Sequence, residues 1–301
     1  MKPLLHPQTQ VQFNSLAASP HGSYVFYGPT GIGKATAAKW LAQSWHGHDQ
    51  VEPSCVRCTQ ISAMTYPDLV VLEAEGDSLG IAAIAELRQR LTLSRYDTIG
   101  QRVVVIDCLP RVTLEAQNAL LKLVEEPPSE TVVIFLASSP RDLIETLRSR
   151  VQPIEFIPLP DETIASYLSS AMIVPPERAA QISGLAAGLA GFALRLVTDQ
   201  VFFDTYLQIA ATADQLLSAE LFERLVLAAE LGDSKTVNID QLMAYLQQSL
   251  RARLRQAAQS GDSTSMIKLG SSLAAIERCF LRLRSNTGLK SALSGLVVEL
   301  A

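Results

Sequence analysis

The sequence predicts an α/β domain built on a parallel sheet that helices cover, followed by a small helical lid and an all-α C-terminal domain. Short, continuous apolar runs alternate with helical patterns through the first half of the chain, which is typical of buried parallel strands joined by helices. The strand-like runs largely stop near Phe156. Beyond that residue, apolar side chains recur at helical spacing, so the second half is predicted to be helical.

The elements of the first domain follow one another in a regular order. Residues 23–27 form a strand-like run, a glycine-rich turn follows, and residues 37–45 carry apolar side chains at helical spacing. Three further strands are predicted at residues 68–72, 103–106 and 132–136. Helices are predicted between them at residues 84–93 and 114–124, and the second ends where Pro127 and Pro128 cannot continue a helix.

Three domains are expected from these patterns. The α/β domain spans residues 1–157, and the proline-containing residues 157–161 form a linker that ends in a helix cap. Short helical stretches at 162–170, 177–185 and 191–197 predict a lid of residues 158–202. Amphipathic stretches at 221–231, 239–257 and 264–284 predict a helical bundle of residues 203–301.

The composition restricts the class of protein. The chain has 301 residues, of which 48% are hydrophobic, enough to bury a core in each domain. The formal net charge of −5 argues against a free-standing nucleic-acid binder, and four cysteines are too few for a disulfide-stapled secreted domain. We find no apolar segment long enough for a membrane helix and no apolar stretch of a secretory signal. A soluble cytoplasmic protein is therefore expected.

The clearest local motif lies between the first strand and the first helix. Gly28-Pro29-Thr30-Gly31-Ile32-Gly33-Lys34, here called the P-loop, matches the pattern G-x-x-x-x-G-K. Glycines let backbone N–H groups point at phosphate oxygens, while the lysine supplies a positive charge to the β- and γ-phosphates. The motif predicts binding of ATP or ADP, and the alternative is a glycine turn that only starts a helix.

The two residues after the P-loop belong to the predicted nucleotide site but depart from the pattern needed for hydrolysis. Ala35 stands where Ser or Thr would offer a hydroxyl oxygen to Mg²⁺. Thr36 comes one residue later, and adjacent helical side chains point about 100° apart, so Thr36 does not replace that hydroxyl without a shift in the loop. The motif therefore supports nucleotide binding better than Mg²⁺-assisted hydrolysis.

A second nucleotide-site element ends the strand at residues 103–106. Asp107 follows this strand, which is the position of a Walker B aspartate that holds Mg²⁺. Cys108 comes next, where many AAA+ ATPases carry a glutamate that activates the attacking water, and a thiol is a poor general base for water. The alternative for Asp107 is a solvated acid at the end of a buried strand.

Residues 114–128 carry the most specific resemblance to a known family. Their sequence, Leu-Glu-Ala-Gln-Asn-Ala-Leu-Leu-Lys-Leu-Val-Glu-Glu-Pro-Pro, resembles the A-x-N-A-L-L-K-x-L-E-E-P-P segment of the clamp loaders, a family of AAA+ proteins. The strand at 132–137 and the Ser138-Ser139-Pro140 that follows are similar to the family's sensor 1 strand, and residues 147–152 are similar to its S-R-C segment. These resemblances cover most of residues 1–157.

The resemblance implies a role for Arg150 on another subunit. In clamp loaders the arginine of S-R-C reaches the γ-phosphate bound by a neighbouring subunit, and a permanently charged, forked guanidinium suits that task. Val151 replaces the cysteine of the motif, which leaves the guanidinium chemistry unchanged. The structural alternative is that Arg150 pairs with a nearby acid such as Glu155.

Two sensor positions follow from the same resemblance. Sensor 1 is Ser139, or Ser138 if the strand ends earlier, although two serines after a strand are also ordinary turn residues. Members of the family that hydrolyse ATP carry a sensor 2 arginine in the lid. This chain has Gly191 or Phe192 at that place, and Arg195 lies about a turn too late.

The implied function is that of a delta-prime-like subunit of the bacterial DNA polymerase III clamp loader. Such a subunit assembles with gamma/tau motor subunits and delta, helps to load the sliding clamp onto primer-template DNA, and has weak ATPase activity or none. One rival is an active AAA+ ATPase, either a gamma/tau-like motor or another remodelling enzyme, which Ala35, Cys108 and the missing sensor 2 arginine disfavour. The other is a P-loop kinase, which the segment 114–128 disfavours.

A zinc site is a weaker prediction. Gamma and delta-prime subunits often carry four cysteines in a loop insertion, whereas this chain keeps only Cys55 and Cys58 in C-x-x-C spacing. His46, His48 and Glu52 are near enough in sequence to complete a tetrahedral site. The alternative is a vestigial loop with two free thiols.

Two further stretches leave function and structure open. Arg88, Arg90, Arg95 and Arg102 either face DNA phosphates in an assembled ring or form a solvated helix face. Residues 282–290 resemble the R-x-x-x-N-x-x-L segment of the clamp-loader collar, which implies that the C-terminal domain holds subunits in a ring. Periodicity alone does not separate an intersubunit surface from the core of a self-contained bundle.

Overall fold

The computed structural model describes residues 2–47, 54–73, 78–97, 100–107, 111–233, 238–284 and 288–300. The chain forms two compact units, one made of Met1–Ile173 with Gly188–Leu194 and the other of Val174–Ala187 with Arg195–Ala301. The division into three domains stays a prediction. Within the described ranges, no helix combines the length and the apolar character needed to cross a membrane.

A five-stranded parallel sheet forms the centre of the first unit. Its strands run in the spatial order β2-β3-β4-β1-β5, and every pairing between neighbours is parallel. The strands are β1 Ser23–Tyr27, β2 Leu69–Leu72, β3 Arg102–Ile106, β4 Thr131–Ala137 and β5 Gln152–Glu155. The four predicted strands are confirmed. The sequence analysis does not predict β5, an edge strand that contains Pro153 and buries only Ile154.

Helices cover both faces of this sheet and continue into the second half of the chain. In the first unit they are α1 Pro7–Ala18, α2 Lys34–Trp45, α3 Val56–Ser62, α4 Ile81–Thr92, α5 Leu114–Glu125, α6 Glu145–Arg148 and α7 Asp161–Ala171. They continue as α8 Pro176–Ala186, α9 Ala190–Thr198, α10 Gln200–Ser218, α11 Leu221–Asp233, α12 Ile239–Ser260, α13 Ser263–Arg284 and α14 Leu289–Glu299. The helices predicted from periodicity are confirmed. The sequence analysis does not predict α1, which buries only Thr9, Phe13 and Leu16.

The continuous apolar runs arise because successive side chains of a strand pack on opposite faces of the sheet. In β3, Val103 and Val105 belong to the core shared with α1, α2 and α3, whereas Val104 and Ile106 belong to the core shared with α4 and α5. Both faces are covered, so residues 103–106 are apolar on each face of the strand. A third core lies in the second unit, among α10, α11, α12, α13 and α14.

The amino-terminal edge of the sheet contains a buried ion pair that changes one sequence prediction. Arg102 is 5% exposed, and its Nε lies 3.3 Å from Oδ1 of Asp68, which is 2% exposed. Its Nη1 and Nη2 donate to the carbonyls of Leu91 and Leu93, each at 3.0 Å. Both alternatives for Arg102, a contact with DNA phosphates and a solvated helix face, are therefore wrong, because this guanidinium is buried in a strand and bonded inside the fold. For Arg88, Arg90 and Arg95, the contact with DNA phosphates and the solvated helix face both stay predictions.

The carboxyl-terminal edge gathers the candidate chemistry. Because the strands are parallel, the loops that follow β1, β3 and β4 leave the sheet at the same edge. The P-loop follows β1, Asp107 follows β3, and Ser138 follows β4. The motifs that are far apart in sequence therefore share one edge.

Candidate phosphate site and exposed arginine

The glycines of the P-loop adopt backbone conformations that other residues rarely reach. The φ angles are 146° at Gly28, 82° at Gly31 and 112° at Gly33. Gly28 also lies against the residue that follows β5, because a Cβ at this position would be 2.4 Å from the carbonyl oxygen of Phe156. The sequence signature thus corresponds to a real steric need at its first position.

Helix α2 begins at Lys34, the last residue of the P-loop, without a side-chain cap. Gly33 is the N-cap residue, and no side chain accepts a hydrogen bond there. The first N–H groups of a helix have no intrahelical partner, and the helix dipole places partial positive charge at the same end. This end of α2 is therefore suited to an anion such as a phosphate group.

Lys34 is turned back towards its own loop. Its Nζ donates to the carbonyl oxygens of Gly28 at 2.7 Å and Pro29 at 3.0 Å. Burial lowers the pKa of Lys34 to about 8, an effect that Asp107 and Asp142 partly oppose. The ammonium group of Lys34 therefore loses its proton at moderately alkaline pH.

Asp107 and Glu73 lie side by side at the ends of adjacent strands. The backbone N–H of Asp107 donates to the carbonyl of Leu72 at 2.9 Å, so the residues after β2 and β3 leave the sheet together. Partial desolvation, followed by repulsion from Glu73, raises the pKa of Asp107. The sequence analysis did not identify Glu73, although it follows a predicted strand directly. Cys108 lies outside the described residues.

A cavity of about 270 Å³ connects these groups. Its lining brings together the end of the P-loop, the start of α2, Asp107 and the residue after β4. The residues involved are Thr30, Gly31, Gly33, Lys34, Ala35, Thr36, Asp107, Leu136, Ala137, Ser138 and Gly191. Ala35 provides no oxygen to this cavity, and Thr36 is exposed one position later on α2. Asp107 therefore lacks the second Mg²⁺ ligand that a Ser or Thr at position 35 would provide. The site fits a phosphate group better than Mg²⁺.

Ser138 and Ser139 lie in different places. Ser138 lines the cavity with Lys34, whereas the hydroxyl of Ser139 accepts a hydrogen bond from the backbone of Arg141 at 3.2 Å. Asp142 accepts from the N–H groups of Ser138 and Ser139 at 2.8 and 2.9 Å, which completes a capping box on a short 3-10 turn. Ser138 matches the geometry of a sensor 1 residue better than Ser139, and the assignment of that role stays a prediction.

The lid position predicted to lack an arginine makes backbone contact with the P-loop. The N–H of Phe192 donates to the carbonyl of Gly31 at 2.7 Å, and the N–H of Gly191 donates to the carbonyl of Ile32 at 3.4 Å. A Cβ at Gly191 would meet Gly33 Cα and N at 2.8 Å, so a side chain has no room there. We call these two hydrogen bonds the backbone clasp. It lies at Gly191 and Phe192, the position where the resemblance implies a missing sensor 2 arginine.

Arg150 is exposed at the end of α6, just before β5. Its Nε donates to Oε1 of Glu125 at 2.6 Å. Its Nη1 donates to the carbonyl of Thr146 at 3.0 Å and to the hydroxyl of Ser149 at 3.2 Å. An ion pair is therefore present, but its partner is Glu125, the last residue of α5, rather than Glu155.

The candidate zinc ligands do not assemble in the part of the chain that is described. Cys55 caps α3, and its Sγ accepts from the backbone N–H of Cys58 at 3.5 Å. His46 is buried against Tyr66, with ring centroids 4.9 Å apart. Across the described ranges, no three His, Cys, Asp or Glu side chains come together as metal ligands. His48 and Glu52 lie outside these ranges, and two thiols alone do not fit a tetrahedral zinc site.

Comparison with protein families gives a match over half of the chain. Residues 7–160 match the family described as DNA polymerase III, delta subunit. The chain is 30% identical over 156 residues to DNA polymerase III subunit delta' of Bacillus subtilis, covering 51% of this chain and 47% of that protein. It is 32% identical over 158 residues to the delta' subunit of Escherichia coli, covering 52% and 47%. The chain thus spans about half the length of these curated relatives.

Two other similarities extend this picture. The chain is 33% identical over 156 residues to DNA polymerase III subunit gamma/tau of Mycobacterium tuberculosis, which covers 49% of this chain and 26% of that protein. A crystal structure of a DNA polymerase III gamma subunit-related protein from Thermotoga maritima superposes with a TM-score of 0.55 and 18% identity, covering 97% of both chains. This structural match confirms the predicted fold class, an α/β P-loop AAA+ domain followed by helical domains.

Proposed function

Because the chain belongs to the DNA polymerase III delta-subunit family, we propose that it is a delta-prime-like subunit of the clamp loader of that polymerase. In this role it helps to load the sliding clamp onto primer-template DNA in the cytoplasm. Its own chemical contribution is Arg150, which it lends to ATP bound by a neighbouring subunit. Its partners are gamma/tau motor subunits and delta.

The observation that carries the proposal is the position of Arg150. The side chain is 42% exposed on the surface of the P-loop unit, two residues beyond a four-residue helix, and three hydrogen bonds hold its guanidinium. An arginine that stabilises a transferring phosphoryl group on another chain must be accessible, charged and locally ordered. Arg150 meets each condition, and the S-R-C-like segment carries it.

The chain's own nucleotide site supports holding rather than hydrolysis. The P-loop glycines, Lys34 and the uncapped start of α2 fit the phosphates of ADP or ATP. Ala35 supplies no ligand for Mg²⁺, and Cys108 stands where a water-activating carboxylate is needed. We propose that any nucleotide bound here is turned over slowly or not at all.

The C-terminal helices are proposed to hold the chain in a ring of subunits. Three apolar side chains of α11 are unusually exposed, with Phe222 77%, Leu221 53% and Val226 43% accessible. Exposed apolar groups that cluster on one helix commonly mark a protein-binding surface. This surface is available to another subunit, in agreement with a collar formed by residues 203–301.

An active motor is the second candidate function, and one observation favours it. Lys34, Asp107 and Ser138 converge on one cavity, which is the arrangement that a working ATPase needs. The isolated chain distinguishes the two functions. A delta-prime-like subunit shows no turnover above background, whereas turnover of about 1 per second, an ordinary enzyme rate, identifies a motor.

The test of the trans role is the variant Arg150→Ala in a reconstituted clamp loader with one competent ATP site, the one next to this chain. We expect hydrolysis at that site to fall roughly 10³-fold, the scale of an arginine finger, while ADP affinity of this chain stays unchanged. Arg148→Ala is the matched control. Arg148 is a second exposed arginine on α6, 4.0 Å from Glu145, and its loss is expected to leave the rate unchanged. An unchanged rate for Arg150→Ala refutes the proposal.

A further inference from the structure

The carboxylate that holds Arg150 lies in an unfavourable electrostatic position. Glu125 is the last residue of α5, and Glu126 is its C-cap residue. The C-terminus of a helix carries partial negative charge, so two adjacent carboxylates there repel the helix dipole as well as each other. A nearby cation offsets this repulsion. The position of Glu125 therefore favours a guanidinium beside its carboxylate.

The contacts of Arg150 divide its donors into two groups. A guanidinium has five N–H donors in a rigid plane. Three of them are used within the chain, by Glu125 Oε1 on Nε and by the Thr146 carbonyl and the Ser149 hydroxyl on Nη1. Among the described residues, Nη2 has no hydrogen-bond partner. The plane of the group is therefore fixed from one side while two donors stay available to a ligand.

The same ion pair contributes little to folding. The side chains of Arg150 and Glu125 are 42% and 46% exposed, and ion pairs at such exposure add little to stability because solvent screens them. A role in holding the fold does not account for the arrangement. The ion pair instead orients the guanidinium, because without Glu125 the long side chain of Arg150 is anchored only through Nη1.

We propose that Glu125 is a positioning residue for the trans reaction. It orders the guanidinium of Arg150 before the subunits meet and leaves Nη2 to the γ-phosphate of the neighbour's ATP. Pre-ordering raises the rate because the side chain does not have to lose its rotamer freedom during the reaction. This inference rests on the proposed function of Arg150 and adds a second residue to it.

The test uses the full chain in the same reconstituted clamp loader with one competent ATP site. Glu125→Ala is expected to lower kcat for ATP roughly tenfold and to change KM less than twofold, since a misplaced catalytic group affects the transition state more than substrate binding. Glu125→Gln keeps an acceptor for Nε and is expected to lose roughly threefold. Glu126→Ala is the matched control. It removes the same charge one residue away and is expected to keep the full rate, because the hydrogen bonds and ion pair seen for Arg150 within the described ranges do not involve Glu126.

A double variant separates positioning from general damage. If Glu125 acts only through Arg150, then Glu125→Ala has no further effect on kcat in the Arg150→Ala background. Additive losses overturn the inference, as do equal losses in Glu125→Ala and Glu126→Ala. A rate that rises in Glu125→Ala also overturns it, because the carboxylate would then be withholding Arg150 rather than directing it.

The two proposals fail in different ways. If Arg150→Ala leaves the rate unchanged, the trans role itself is wrong. If Arg150→Ala lowers the rate and Glu125→Ala does not, the trans role stands and the positioning role of Glu125 is wrong. Urea unfolding of each variant, followed by far-UV circular dichroism, verifies that the compared chains are equally folded.

Discussion

Lys34 and Arg150 are both cations suited to nucleotide phosphates, yet they lie in opposite environments. Lys34 is half-buried and donates to carbonyls of its own loop, beside a backbone clasp that fills the lid position. Arg150 is exposed and is held by side-chain and backbone contacts at the surface. One cation is directed into the chain and the other out of it. This difference is the one that the proposed function requires, because a cation that acts on a neighbour's ATP must be accessible from outside the chain.

The largest effect expected from this comparison concerns the backbone clasp. Gly191→Ala places a methyl group 2.8 Å from backbone atoms of Gly33, so either the lid or the P-loop must shift. We expect the free energy of unfolding to fall by about 1–3 kcal/mol, as for overpacked sites. Urea unfolding followed by circular dichroism measures it.

Gly184→Ala is the matched control for that prediction. Gly184 lies within α8, and a Cβ there meets no atom within 4 Å. Since alanine is the better helix former, this variant is expected to keep or gain up to about 1 kcal/mol. If the Gly191→Ala and Gly184→Ala chains have equal free energies of unfolding, the packing of Gly191 on the P-loop is loose. The contrast between an enclosed Lys34 and an exposed Arg150 would then lose its support.

A second, smaller effect concerns the charge of Lys34. Its pKa of about 8 means that the ammonium loses its proton as the pH rises through that value. If only the charged form attracts phosphate, the Kd for ADP rises about tenfold between pH 7 and pH 9, because the protonated fraction falls from about nine-tenths to about one-tenth. Isothermal titration calorimetry at both pH values measures this change.

The variant Lys34→Gln controls for titration of the nucleotide and of other groups. It is expected to bind ADP weakly at both pH values with no tenfold difference between them. A wild-type Kd that is equal at pH 7 and pH 9 contradicts the environment assigned to Lys34. Lys34 would then be a cation in a solvated environment, as Arg150 is.

The smallest expected effect is on the stability of the Arg150 region. Arg150→Ala removes an exposed ion pair, and we expect the free energy of unfolding to change by less than about 0.5 kcal/mol. Urea unfolding by circular dichroism tests this. A loss of several kcal/mol would assign Arg150 to the fold and weaken its interpretation as a group reserved for a partner.

Local sequence patterns predicted much of this fold because they report burial directly. The runs at 103–106 and 132–136 identify strands whose two faces are both covered, and β3 and β4 are fully buried along their length. The edge strand β5 escaped prediction because Pro153 and three exposed residues give it no such pattern. The P-loop was predictable since its steric demands fall on Gly28, Gly31 and Gly33, which lie within one short motif.

The parts of the site that escaped prediction depend on contacts between distant segments. Glu73 meets Asp107 only because β2 and β3 are neighbours, and Glu125 meets Arg150 only because the end of α5 lies beside α6. The absence of a sensor 2 arginine at Gly191 was visible in the sequence. The backbone hydrogen bonds that Gly191 and Phe192 make to the P-loop were not predictable, because a sequence pattern carries no information about main-chain contacts between distant segments.

The ion pair of Asp68 and Arg102 has a consequence for how such a protein can change over evolutionary time. Asp68 also accepts hydrogen bonds from the backbone of Tyr96 and Asp97, so this pair secures a loop as well as two strands, all at the edge away from the P-loop. Structural anchoring and phosphate chemistry are therefore separated by the length of the strands. Mutations that erase hydrolysis can accumulate at one edge without loosening the other. Under the proposed function, a subunit that does not hydrolyse ATP can therefore remain a well-folded part of its complex.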